Sequence, residues 1–416
     1  MNPAHPPVVA VELDAAELGG PVRIGTLRRI AAPTGALVAF AYDEAWLVRE
    51  GSFVIDPTHG LYPGEQYPRQ GDSMAPIFTD AAPDRWGRML LERREALVAR
   101  TEGRSRRTLG EWEILLGVAD TSRMGALRFR DDDGRYLDDT TPVIPPMASL
   151  RELEAAAREI EHPGRGERSR EARQLDLLLA PGSSLGGARP KATFADEDGA
   201  LWIAKFPSRN DTRDMAACEW VLNELAGAAG IRVPEHRLLS LGPGHHTFAA
   251  RRFDRAQPSR RLYASAMTML SRRDPEAASY LDIALAIADH GARGQVGPEL
   301  AHLFRRTVFN VLTAHRDDHL RNHGFLRTAG GWQLAPAFDL NPMPEKAEHE
   351  LAIDEAVHAG DIDLVIETAP YYRLADREAR AIVDEVRGAL SSWRMIAASA
   401  PLDEAEIETL EAAIDA

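Results

Sequence analysis

The sequence predicts an α+β chain of two lobes, a β-rich N-terminal part followed by an all-helical C-terminal part. Three observations carry this. Apolar alternation with turn signals marks the first hundred residues, a glycine-rich loop feeds a hairpin near residue 200, and helical spacing of apolar residues dominates after 280.

Taking the elements in order, Val22, Ile24 and Thr26 alternate, Pro33-Thr34-Gly35 turns the chain, and Leu37 to Tyr42 is a second apolar run, which together read as a hairpin. A helix-forming stretch runs from Asp84 to about Arg100. Residues 131 to 147, with Asp131-Asp132-Asp133-Gly134 and three prolines, read as a linker, and Pro163-Gly164-Arg165-Gly166 as a polar loop. Pro181 to Lys191 is glycine-rich and leads into Ala192-Thr193-Phe194, a turn at Asp196 to Gly199, and the strand Leu201 to Phe206. Residues 214 to 230 form an alanine- and leucine-rich helix with Gly230 as its cap. Leu300, Leu303, Phe304, Val308, Val311 and Leu312 then follow helical spacing, and that helix delivers the chain to His315. The expected subdomains are 1–130, 150–252 and 253–416, since 416 residues exceed one ordinary domain.

Composition narrows the function. Hydrophobic residues at 44% and charged residues at 27% are globular, and no apolar run approaches the roughly 20 residues of a membrane span. With no basic and apolar leader at Met1-Asn2-Pro3, a cytoplasmic protein is expected. A net charge of −15 argues against coating nucleic acid through the whole surface. The arginine clusters at 104–107 and 251–273 read as solvated faces. The single cysteine, Cys218, excludes an internal disulfide and falls on an apolar helix face, where packing is its expected role. Only Lys191, Lys205 and Lys346 are lysines among 49 basic residues, so the chain keeps lysine at two places fourteen residues apart, near the glycine loop. A compact ammonium suits a phosphate oxygen.

The stretch His315-Arg316-Asp317-Asp318-His319-Leu320-Arg321-Asn322 has the H-R-D-x-x-x-x-N spacing with which protein kinases place a catalytic aspartate and a metal-binding asparagine on one loop. Asp317 is therefore the candidate base, and Asn322 with Asp339 the candidate magnesium ligands. Asp339-Leu340-Asn341 lacks the phenylalanine and glycine of the usual D-F-G triplet. The glycine loop is not a Walker A loop, because Ala188 stands where lysine is required. Its Gly186 and Gly187 still let backbone approach an anion closely. Lys205 ends an apolar strand and resembles the nucleotide-pairing lysine of kinases, with Glu219 or Glu224 as its partner. A zinc hydrolase is the competing reading, since His315, His319 and His323 recur every four residues, but the segment reads as a loop and lacks H-E-x-x-H.

Taken together, Gly25-Thr26-Leu27, Phe40 to Asp43, Pro83 to Gly87, Ser183 to Lys191, Arg252-Phe253-Asp254-Arg255, Asp317 to Asn322 and Phe338-Asp339 resemble the HipA family of serine/threonine kinases, toxins of bacterial toxin–antitoxin pairs. The resemblance spans nearly the whole chain and implies a HipA-like, protein-kinase-like fold using ATP and Mg2+. By motif it implies that Gly186, Gly187, Ala188, Arg189, Pro190 and Lys191 contact phosphates, Lys205 the nucleotide, and Arg251, Arg252 and Phe253 the adenine side. His319, Leu320, Arg321, Asn322, Phe338 and Asp339 line the phosphate and magnesium end, and Ser184 matches a serine whose autophosphorylation inactivates the enzyme. A dianion there competes with ATP for the same donors. Arg321 departs from the family's usual lysine, and Arg251 from a common glutamate. The implied partners are a helix-turn-helix antitoxin, through which alone DNA is reached, and a protein substrate such as an aminoacyl-tRNA synthetase. A catalytically idle co-repressor and a small-molecule kinase of related fold are the alternatives.

Overall fold

The computed structural model describes residues 5–414 apart from 33–34, 138–143, 162–172, 176, 180–186 and 188. Its contacts form two compact units, residues 1–209 with 254–264, and residues 210–253 with 265–416. The sequence reading gives three successive segments. The chain instead returns to the first unit after residue 253, because Arg260 pairs in parallel with Ala15 and the Asp254 carboxylate accepts the Gly125 N–H at 2.8 Å. Gly125 sits at φ +75°, and a Cβ there would meet the Tyr263 backbone at 3.3 Å, so glycine is required at this crossing.

In the first unit the expected hairpin forms, Gly20–Ala32 against Gly35–Tyr42, with Leu27 opposite Phe40. Strand Val8–Ala15 pairs with it on one side and with Leu127–Arg130 on the other. Val9, Val11 and Leu13 alternate into the core beside Ile24, Leu27, Val38 and Phe40. The predicted helix runs Arg85–Thr101 and buries Trp86, Leu90, Leu91 and Ala99. It holds the first arginine cluster in ion pairs, Arg104 and Arg107 on the buried Glu95 and Arg106 on the exposed Glu92. The second hairpin, Lys191–Ala195 with Leu201–Lys205, turns at Asp196, whose carboxylate accepts from Asp198 N and Ala200 N. One buried cation is structural: the Arg123 guanidinium donates to the carbonyls of Ala81, Leu115 and Val118 at 2.8 to 3.1 Å.

The second unit is mainly helical. It also carries two hairpins, His236–Leu239 with Thr247–Arg251 and Gly324–Thr328 with Gly331–Leu334, and the second lies within the 253–416 part expected to be all-helical. Helix Met215–Ala228 is apolar on most sides and buries Cys218, whose thiol is pushed up to about 12 by burial, as a packing residue is. Gly230 follows it at φ +76°. At its start Asp214 accepts from Ala217 N and His246 N, while its own N–H donates to Glu406.

The helix Val296–Leu312 organises this unit. Of the residues picked out by spacing, Leu300, Leu303, Phe304 and Val308 are buried, with Phe309 beside them, while Val311 and Leu312 are half-buried. Glu299, Arg306 and Asn310 are buried too, and they are spent on neighbouring segments. Glu299 accepts from Leu334 N at 3.0 Å and Arg232 at 2.7 Å, while Arg306 donates to the Ala335 carbonyl. Helix Asp376–Leu390 covers another side with Ile382, Val383 and Val386. Leu303→Ala is expected to lower stability by about 2–5 kcal/mol through the cavity it leaves. Urea denaturation followed by tryptophan fluorescence checks this, and an unchanged midpoint contradicts it.

Candidate active site

In the second unit, helix Val296–Leu312 ends at Leu312, and Ala314 at φ +45° turns the chain into the loop that begins at His315. The two aspartates of that loop part company. Asp317 is half exposed, whereas Asp318 is fully buried. The Asp318 Oδ2 accepts three hydrogen bonds, from Tyr280 Oη at 2.7 Å, Asn310 Nδ2 at 2.8 Å and His323 Nε2 at 2.7 Å. His315 Nε2 stands 3.8 Å from Oδ1. Burial by itself pushes the Asp318 carboxyl up. The His323 charge and hydrogen bond, with His315 and the Tyr280 hydroxyl, outweigh it and hold the group well below the usual carboxylate range.

This anchor fixes the rest of the loop. Asn322 Nδ2 turns back to the Asp317 carbonyl at 3.3 Å, and Asn322 N donates to the His319 carbonyl at 2.8 Å, closing a short 3-10 turn over Leu320–Asn322. With its amide nitrogen used, Asn322 offers the amide oxygen, a hard donor suited to magnesium. Leu320 is buried and anchors the turn, so its side chain does not line a nucleotide surface as the sequence reading has it. Arg321 likewise turns outward, to Asp274 at 2.6 Å. The three histidines do not share a helix face, and among the described residues no cluster of three or more His, Cys, Asp or Glu is placed to hold a metal.

Asp339, the second candidate magnesium ligand, holds φ +62°, a left-handed conformation that aspartate tolerates better than most residues. Its neighbour Phe338 packs on Phe253, ring centroids 5.5 Å apart. Phe338, Asn322, Asp318, His323, Asn310 and Arg306 line one cavity of about 10 Å³. The structure thus brings the 317–323 loop and the 338–341 segment together. The cavity is far below the roughly 300 Å³ of a ligand pocket, so it is a packing seam. Arg251 pairs at the surface with Glu235 at 3.3 Å, and Arg252 is buried.

In the first unit, Lys191 and Lys205 occupy one rung of the hairpin, opposite each other on the same face. Like charges so placed repel. The Lys191 ammonium is buried and bonds Asp84 Oδ2 at 3.1 Å, and the Lys191 carbonyl accepts from Trp86 Nε1 at 3.0 Å. Burial, the larger effect, pushes the Asp84 carboxyl up even against the Lys191 charge. Lys191 is therefore a buried ion-pair partner, where the sequence reading makes it a phosphate contact. Pro190 is buried as well, its carbonyl accepting from Phe206 N at 2.9 Å. Gly187 is exposed at φ +91°, and a Cβ there would lie 3.0 Å from Lys191 Nζ, so the glycine is what lets the loop pass. Ser184, Gly186 and Ala188 lie outside the described residues. Of the two glutamates proposed for Lys205, Glu224 bonds His236 Nε2 at 3.0 Å and Glu219 is buried.

Sequence reasoning missed Tyr280, Asn310, Arg306 and Lys346. Polar residues at 299, 306 and 310 inside an otherwise apolar period were the available signal for two of them. Lys346 carried its own signal, as one of three lysines.

A family model described as the HipA-like C-terminal domain matches residues 183–393. Among solved structures, the Shewanella oneidensis MR-1 toxin–antitoxin complex of HipA, HipB and operator DNA contains a chain 17% identical, with a TM-score of 0.66 over 98% of this chain and 95% of that one. That similarity shows a shared α+β fold. The Helicobacter pylori proinflammatory kinase CtkA matches at 17% identity and a TM-score of 0.44, over 56% of this chain and 90% of that one. A search of curated proteins by sequence returns no match.

Asp318→Asn is expected to cost about 3 kcal/mol, since it removes a buried charge whose Oδ2 accepts three hydrogen bonds. The folded carboxyl lies below its unfolded value, so its stabilisation is fully present above about pH 4 and is lost as pH falls below that. Denaturation midpoints between pH 3 and 7 check both statements: the variant should lose most near neutrality, with a flatter acid limb. Equal losses at every pH contradict the assignment.

Proposed function

The chain belongs to the family of HipA-like C-terminal domains, and from that premise we propose that it is an ATP- and magnesium-dependent protein serine/threonine kinase, the toxin of a toxin–antitoxin pair. The observation that carries this reading is the division of labour in the Asp317 loop. A buried Asp318 that accepts three hydrogen bonds ties the loop to its neighbours, and Asp317 beside it keeps a half-exposed carboxylate. That is what a proton acceptor for a protein substrate needs: a fixed backbone and an open face.

In this reading Asp317 takes the proton of a serine or threonine hydroxyl. Asn322 and Asp339 supply oxygen donors for Mg2+, and the fit rests on their chemistry and on the seam that joins their segments. Bound Mg–ATP supplies the phosphoryl group and the neutralisation of its charge. Lys205 and the exposed Gly187 turn take phosphate oxygens, on a rung where Lys205 stands opposite Lys191, itself paired with Asp84. Phe253, packed on Phe338, offers an aromatic surface to the adenine. Ser184 is the proposed site of inactivating autophosphorylation.

The antitoxin is proposed as a helix-turn-helix protein like the HipB of the Shewanella complex, with DNA reached only through it. A net charge of −15 supports that indirect route. Among the described residues no helix is long and apolar enough to cross a membrane. An aminoacyl-tRNA synthetase is the proposed acceptor class.

Incubation with radiolabelled ATP and Mg2+, alone and with cell lysate, tests the reading. Label on Ser184 or on a lysate protein is expected, falling about 100-fold or more in Asp317→Asn. The absence of both nucleotide binding and label would sink it.

A further inference from the structure

Asp317 has a neighbour that no motif assigns. Lys346 Nζ forms an ion pair with Asp317 Oδ1. The two side chains are 38% and 47% exposed, so the pair faces solvent and is open to a macromolecular acceptor. A surface pair of this kind contributes little to stability. Its placement must therefore come from elsewhere.

It comes from the segment that carries Lys346, which is fastened to the 314–317 loop on both sides. Met343 N donates to the Ala314 carbonyl at 2.9 Å, and Glu350 N donates to the Arg316 carbonyl at 3.0 Å. The Arg316 guanidinium donates to the Pro344 carbonyl at 2.9 Å and to the Lys346 carbonyl itself. His315 Nδ1 lies 2.8 Å from the Asn341 carbonyl. The backbone on either side of Lys346 is thus tied to residues immediately before Asp317, and the ammonium is delivered to the carboxylate by that framework.

We propose that Lys346 is a positioning residue for phosphoryl transfer: by engaging Oδ1 it stops the half-exposed Asp317 side chain from swivelling and presents Oδ2 to the acceptor hydroxyl. This rests on the kinase reading and adds a residue to it. In the step, the acceptor oxygen forms a bond to the γ-phosphorus, the bond from that phosphorus to the β,γ-bridging oxygen breaks, and ADP leaves with that electron pair. The hydroxyl proton passes to Asp317 Oδ2. Lys346 exchanges no proton; it removes orientational freedom before the reaction.

The test compares initial labelling rates of the full chain, its Lys346→Ala and Lys346→Arg variants, and Asp317→Asn, across ATP concentrations with Mg2+ and lysate as acceptor source. Lys346→Ala is expected to lower the maximal rate about tenfold or more while the KM for ATP stays within about twofold, the pattern of an interaction used in the transition state. Lys346→Arg should recover much of the rate by restoring the pair, and the melting temperature should move by no more than about 2 °C. An active parent with an unimpaired Lys346→Ala variant overturns the positioning role and leaves the kinase reading standing. A faster Lys346→Ala variant also overturns it, since the lysine would then be blocking the base. A rate loss that tracks a large fall in melting temperature and is not rescued by arginine shows a purely structural residue. A parent that neither binds ATP nor transfers label overturns both readings.

Discussion

The second unit is built around one buried carboxylate. Asp318 is buried, and a buried carboxylate is costly to ionise unless polar partners surround it. Tyr280, Asn310 and His323 converge on a single oxygen of it from three separate elements. That convergence pins the start of helix Tyr280–His290, the last turns of helix Val296–Leu312 and the strand that begins at Gly324 to one point. The half-exposed Asp317 and the buried Asn322 of the loop inherit their geometry from it.

The same helix serves as both core and scaffold. Its apolar face packs the unit, while Glu299, Arg306 and Asn310 reach the Leu334 N–H, the Ala335 carbonyl and Asp318. These contacts set the hairpin Gly324–Leu334 beside the loop and carry the chain on to Asp339. A polar group on a buried helix face is tolerated when its partner is a backbone or side-chain group that needs one. Here each such group also ties down a segment of the candidate site. Among the described residues of the first unit, the corresponding constraint is Lys191 with Asp84, a buried pair that secures the glycine-loop hairpin to the cap of helix Arg85–Thr101.

Much of the fold was legible because its signals are local. Alternation at 22–42, the Asp196–Gly199 turn and helical spacing at 300–312 each lie within about twenty residues, and the structure forms the corresponding elements. The misreadings are equally instructive. The all-helical expectation for the C-terminal part overlooks Gly331–Leu334, because a four-residue strand has too short a period to outweigh the helices around it. The division into three segments failed to anticipate the return at 254–264, since a parallel partner 245 or so residues away leaves no trace in local sequence.

The sequence by itself determined the order of the motifs, the family they belong to, and which residue types the site has to work with. Only the tertiary structure decided which of two adjacent aspartates is buried and which is open, and it placed Lys191 on a carboxylate 107 residues away. It also set Lys346 against Asp317, across 29 residues of chain. The physical reason is the same in each case. Whether a charged group is solvated or paired depends on what packs around it, and packing partners distant in the chain have no periodicity through which a sequence could announce them.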